Sequence, residues 1–182
     1  MQSHFTFLFV LFCLVSFSSA NSFQDTRDQK TYQTASYGDL NWFQENVRYY
    51  NRSLHALNYK VLFYSDRELS TVCPAPYSVP SVEDWKNLEH NLLKQKVKKV
   101  WKSFAGSAMG YYVPKKEKKQ VENKQDVYFW AKNASGHQLV RFNPKAGKIN
   151  FESPKPRSYV AVRCVRKRNY LEEKGIVDGI LT

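Results

Sequence analysis

Two cysteines in the body of the chain, Cys73 and Cys164, and three histidines, His55, His90 and His137, are the side chains that could do more than pack or solvate. A thiolate beside an imidazole is a nucleophile–base pair, and cysteines and histidines at short spacings make a zinc site. Neither pattern is written here, because no histidine stands at ligand spacing from either cysteine. Two thiols in an oxidising compartment suggest a disulfide more than a metal site. Two independent buried thiols are the other reading, since separation in sequence does not establish that they meet. A bridge would close about 90 residues, which the chain-entropy model values on the order of 4–5 kcal/mol. A bridged cysteine is no nucleophile, so catalysis is not expected; an unbridged, low-pKa thiol at Cys164 would revive it. The chain also lacks a clustered acidic loop of the kind oxygen-coordinating cations need, so no metal or cofactor is expected.

The remaining chemistry is cationic and aromatic. With 28 Lys+Arg against 16 Asp+Glu, the formal charge is +12. Such a charge attracts polyanions: nucleic acid, acidic polysaccharide, lipopolysaccharide or an anionic membrane face. A basic surface that merely keeps the protein soluble is the plainer alternative. Two lysine clusters concentrate the charge, Lys94, Lys96, Lys98, Lys99 and Lys102, and then Lys115, Lys116, Lys118 and Lys119. The first also fits an ordinary solvated helix face. Tyr111 and Tyr112 precede the second cluster and are the aromatics proposed to stack on sugar rings. Ordinary strand packing is their other use. Binding through the lysines would weaken steeply with salt. Asn51-Arg-Ser53 and Asn133-Ala-Ser135 are glycosylation sequons, meaningful only in a eukaryotic secretory route.

The oxidising compartment is itself an inference from residues 1–20, which contain no Lys, Arg, Asp or Glu. Phe5 to Phe17 is an apolar run of about 13 residues, right for a signal peptide and short for a spanning helix. Ser18-Ser19-Ala20 supplies the small residues of a cleavage site. Cys13 follows Phe12 rather than a small residue, so lipidation is not expected. The only positive charge ahead of the run is the terminal amine, and an N-terminal core strand or short helix is the competing reading. About 160 residues then remain, enough for one domain. Export also makes nucleic acid the least suitable of the polyanions, and no later segment is apolar enough to span a membrane.

The elements that must position these groups follow from pattern. Thr31 to Ala35 reads as a strand and Gly38-Asp39 as a turn, while Trp42, Phe43 and Val47 fall at near-helical spacing. Tyr59–Tyr64 reads as a strand. A helix follows Pro80, with Ser81 as cap, Asp84 as its acidic partner, and Trp85, Leu88, Leu92, Val97, Val100, Trp101 and Phe104 as the apolar stripe. Val127–Ala131, Gln138–Phe142 and Lys148–Glu152 are strands separated by turns at Asn133–Gly136 and Asn143–Gly147. The last strand, Ser158–Arg166, places Val160, Val162 and Cys164 on one face. One or two helices followed by short antiparallel strands make an α+β domain.

Several blocks, in order, resemble a known family. They are Asp25-Thr26-Arg27-Asp28; Tyr32-Gln33-Thr34; Gly38; Trp42 with Glu45-Asn46-Val47; Cys73-Pro74 with Val79-Pro80; Asp84-Trp85; Phe129-Trp130; and Ala161-Val162-Arg163-Cys164-Val165-Arg166. Together they resemble the Fibrobacter succinogenes major paralogous domain, a bacterial secreted and cell-surface module. The likeness spans about Asp25 to Arg168, leaving 169–182 as a tail outside the pattern, so the expected divisions are 1–20, 21–168 and 169–182. It implies a C-type lectin-like fold with one or two helices on short antiparallel sheets, and it supports a Cys73–Cys164 bridge. Most of the signature, including Trp42, Trp85 and Trp130, reads as scaffold. Departures are Gln29 for the usual Gly, Val47 for Leu, and Pro76-Tyr77 for Gly-Trp.

The resemblance implies a non-catalytic binding or adhesion module, secreted or on a bacterial cell surface, with a polysaccharide or other envelope polymer as partner. A polyanion or envelope-surface binder using the lysine segments is the alternative. Val162–Arg166 is also similar to the sulfatase-modifying-factor family, but that family's Gly-Asn-Val-Trp-Glu-Trp and Arg-Gly-Gly-Ser-Trp blocks are absent, which leaves an enzyme as the weakest reading.

Overall fold

The element after Pro80 begins where capping chemistry puts it. In a computed structural model, which describes residues 21–50, 62–94, 111–113, 120–121, 126–143, 146, 148–168, 176–177 and 180–181, helix α1 runs Val82–Lys94. Ser81 Oγ accepts the Asp84 amide (3.1 Å), and Asp84 Oδ2 accepts the Ser81 amide (2.8 Å), so two end donors are satisfied reciprocally. Trp85, Leu88 and Leu92 form its buried stripe. Residues 97–104, the expected continuation of that stripe, lie outside the described residues.

The strands are β1 (Ser22–Gln24), β2 (Thr31–Tyr37), β3 (Leu40–Phe43), β4 (Tyr111–Tyr112), β5 (Gln120–Val121), β6 (Val127–Asn133), β7 (Gly136–Asn143), β8 (Lys148–Glu152), β9 (Val165–Lys167), β10 (Ile176–Val177) and β11 (Ile180–Leu181). They pair as β1-β2-β3-β9, β6-β7-β8, β4-β5 and β10-β11, and every one of these pairings is antiparallel. The architecture is α+β, mostly antiparallel sheet with one α-helix among the described residues.

Trp42, Phe43 and Val47 depart from the expectation. Their spacing is near-helical, yet Leu40–Phe43 is a strand. The two-residue Gly38-Asp39 turn, with Gly38 at φ 64°, joins β2 to β3 as a hairpin. Both faces of β3 are buried, Leu40 and Trp42 toward the helix and Asn41 and Phe43 away from it, so period-2 alternation is erased. The long closing strand is likewise broken. Isolated bridges join Val160 to Tyr64 and Ala161 to Phe129 before β9 begins at Val165. Val160, Val162 and Cys164 do share one core, as alternation predicts.

Two apolar cores result, divided by β3, β6 and the 160–165 segment. One holds Trp42, Trp85 and Phe129, with Trp85 edge-on to Trp42 (5.0 Å) and stacked on Phe129 (5.1 Å). The other gathers Tyr32, Phe43, Tyr64, Tyr77 and Trp130, and there Trp130 Nε1 donates to the Tyr64 carbonyl at 2.7 Å. The helix is pinned to β8 by Glu89 Oε1, which accepts the Ile149 amide (2.9 Å). No helix among the described residues is long and apolar enough to cross a membrane.

Candidate functional site

Of the residues the sequence singles out, the two cysteines meet. Cys73 and Cys164 form a disulfide with Cα atoms 5.8 Å apart. Tyr111 is only 7% exposed and sets its ring edge-on to Tyr128 at 5.0 Å, which is strand packing rather than an open stacking platform. Tyr112 pairs with Gln120 through the backbone. Lys115, Lys116, Lys118 and Lys119 lie outside the described residues, as do Lys96, Lys98, Lys99, Lys102 and His55. His137 leans against Trp130 (6.2 Å), and among the described residues no three His, Cys, Asp or Glu side chains cluster as a metal site would require.

The Asp25–Asp28 block is a clamp. Asp25 is fully buried and accepts the Arg27 backbone amide (3.0 Å) together with Arg27 Nε and Nη2. Burial pushes the Asp25 carboxyl up, but the hydrogen bonds and charge of Arg27 outweigh it and hold it below its ordinary value. Arg27 also donates to the carbonyls of Thr71 (2.5 Å) and Val72 (2.9 Å) and lies 3.7 Å over the Tyr49 ring. This ties the first turn to the loop that leads into Cys73. Arg163 is also a scaffold residue. It is 2% exposed and donates to the Phe43 carbonyl, and burial pulls it down to about 9 against the opposing pull of Glu45.

A concave surface is built on one face of the four-stranded sheet β1-β2-β3-β9. Asn41 on β3 and Arg166 on β9 are directly opposed, so both side chains share the face that also carries Phe43. Toward one end of this face Tyr32 stacks on Phe43 (4.6 Å) and closes the core. Toward the other, Asn21, Ser22, Phe23, Thr34, Asn41, Tyr77 and Arg166 line a cleft of about 330 Å³. That volume falls at the small end of the range in which proteins hold small ligands.

Each wall has a local cause. Asn21 is fixed by Thr34, whose amide (2.7 Å) and Oγ1 (3.0 Å) both donate to its carbonyl. Tyr77 is set by the bridged loop: its amide closes a turn onto the Pro74 carbonyl, and Ser78 and Val165 exchange both backbone hydrogen bonds at 2.9 Å. Its ring packs on Phe43 (4.5 Å) and Phe23 (4.8 Å), and the Arg166 guanidinium carbon stands 5.3 Å from its centroid. Asn41 is 5% exposed, and its Oδ1 accepts no hydrogen bond among the described residues. A buried amide oxygen in that state carries an uncompensated desolvation cost. Sequence reasoning missed this cleft. Its one signal was Asn41, a polar residue inside the apolar run Leu40-Asn41-Trp42-Phe43.

No family model, no curated protein and no solved structure matches the chain.

Proposed function

We propose that this is a non-catalytic binding module of the Fibrobacter succinogenes major paralogous kind, with a C-type lectin-like fold, exported to a bacterial cell surface or beyond, and that it holds a saccharide in the sheet cleft. The cleft carries the reading. An amide, a hydroxyl and a guanidinium stand beside the rings of Phe23 and Tyr77, the mix of directional polar groups and apolar faces that a sugar ring, itself two-faced, requires. Support for the fold comes from β1 and β9, near the two ends of the 21–168 stretch, lying in one sheet, and from the bridged cysteines at motif positions.

The purified mature chain, tested on a glycan array and by polysaccharide pulldown, is expected to retain at least one saccharide, and Asn41→Ala is expected to weaken that retention. No retention on any saccharide would end this reading. The formal charge of +12 favours a second one, a polyanion or envelope-surface binder working through the lysine segments. It requires retention on heparin-like or lipopolysaccharide matrices that falls steeply between low and high salt.

A further inference from the structure

We infer that Asn133 is an acceptor for an asparagine-linked glycan when the chain passes through a eukaryotic secretory route, with the first sugar seated in a groove between the β6–β7 hairpin and the start of α1. The site shares no residue with the sheet cleft, so it stands apart from the saccharide reading above and leaves it unchanged.

The sequon Asn133-Ala134-Ser135 stands where a transferase can reach it. Asn133 and Gly136 close the β6–β7 ladder, so Ala134 and Ser135 form a two-residue turn, and Ala134, Ser135 and Gly136 are all exposed. Asn133 Oδ1 accepts both the Ser135 amide (3.0 Å) and the Ser135 hydroxyl (3.2 Å). The oxygen of the amide is thus engaged by the residue that the sequon requires, while Nδ2 donates no hydrogen bond among the described residues. In the transfer, Nδ2 forms a bond to the anomeric carbon of a lipid-diphosphate sugar. The bond from that carbon to the diphosphate oxygen breaks, and the diphosphate leaves with the electron pair. The proton lost by Nδ2 goes to a base of the transferase.

Beside the acceptor there is room for the sugar. Asn133 lines a groove of about 550 Å³, together with Ser81, Val82 and Glu83 from the helix start and Lys132, Ala134 and Gln138 from the hairpin. The two sides are tied to each other. The Lys132 amide donates to the Pro80 carbonyl (2.8 Å), a bridge pairs Ser81 with Lys132, and the capping box fixes Ser81. Val82 and Ala134 offer apolar contact to the C–H face of a sugar ring. The side chains of Lys132 and Gln138 are uncommitted among the described residues and can serve its hydroxyls. A bulky, solubilising modification at a surface turn meets no packed core there.

The experiment sends the mature chain through the secretory route of insect cells behind a host leader in place of residues 1–20, so the outcome does not depend on them. Chain recovered from medium and cells is digested with peptide-N-glycosidase in heavy-oxygen water, which turns each glycosylated asparagine into labelled aspartate, and is mapped by mass spectrometry. The same chain made in bacteria gives the background of spontaneous deamidation. Asn51→Gln, present throughout, removes the other sequon. Label is expected at Asn133. The mass of one glycan should be lost in Asn133→Gln and in Ser135→Ala, and kept in Ser135→Thr. Trimmed to its first sugar by an endoglycosidase, the chain should melt no lower than the bare chain. Unlabelled Asn133 in the recovered chain, or label that survives Ser135→Ala, would overturn the acceptor. A melting temperature lowered by the first sugar would overturn its seat in the groove.

Discussion

Reducing the Cys73–Cys164 bridge should lower stability while leaving the native shape almost unchanged. The cysteines are 91 residues apart, and releasing a loop of that length restores freedom to the unfolded chain worth about 4–5 kcal/mol. In the folded state the same loop has other ties. Ser78 and Val165 keep their paired hydrogen bonds, Arg27 holds the Thr71 and Val72 carbonyls, and Tyr77 stays packed on Phe23 and Phe43. The loss therefore falls on the unfolded side of the equilibrium. For a domain of this size each kcal/mol moves the melting temperature by roughly 2–4 °C, so the midpoint should drop by roughly 10–20 °C. Urea unfolding of the Cys73→Ala/Cys164→Ala variant, followed by tryptophan fluorescence, should show a lower midpoint and a steeper denaturant dependence, because the unbridged chain exposes more surface. Near-ultraviolet dichroism without denaturant should match that of the oxidised protein. Equal midpoints, with the bridge verified by non-reducing peptide mapping, would refute the loop-entropy account. A collapse of the dichroism without denaturant would show that the bridge holds the native geometry itself.

Three further outcomes test the scaffold. Arg27→Ala strands the buried Asp25 carboxylate and frees two loop carbonyls, and should cost about 2–4 kcal/mol in chemical denaturation. Because the folded Asp25 pKa is lowered, its contribution is fully present above the unfolded value of about 4 and is lost as pH falls below it toward the folded pKa. The acid limb of a stability–pH curve should therefore be shallower in Asp25→Asn. Gly38→Ala should destabilise by about 1–2 kcal/mol, since φ is 64° and the new Cβ would stand 2.8 Å from Asn91 Nδ2. Adding Asn91→Ala should recover the steric part alone, as read from melting temperatures. Trp130→Phe removes the indole donor while the Tyr64 carbonyl keeps the Val160 amide (2.9 Å), and should cost about 0.5–1.5 kcal/mol beyond any change in packing, with a control at a solvent-facing position.

What was legible in the sequence was local. The Ser81–Asp84 capping box needs only groups three residues apart, and it places the start of α1 correctly. The β6-β7-β8 meander joins neighbours in the chain through short turns, so alternation and turn residues sufficed to read it. Cys73 and Cys164 could be named as a pair because they are the two cysteines outside the first twenty residues. Where pattern misled, burial on both faces was the cause. β3 has no solvent-facing side to reveal its period, so Trp42, Phe43 and Val47 imitate a helix. Tyr111 likewise looks available in one dimension and is packed against Tyr128 in three.

The cleft belongs wholly to tertiary structure. Asn41 and Arg166 become neighbours only because β3 pairs with β9, and Tyr77 reaches them because Ser78 pairs with Val165. Those contacts join positions that no local spacing relates, and their free energy comes from burial and pairing across the fold. By itself the sequence determined a basic α+β chain with one candidate cysteine pair, a capped helix and a hairpin meander. Only the fold decided which faces of β3 are core, which aromatic rings remain at a surface, and where a guanidinium and an unpartnered amide oxygen stand side by side.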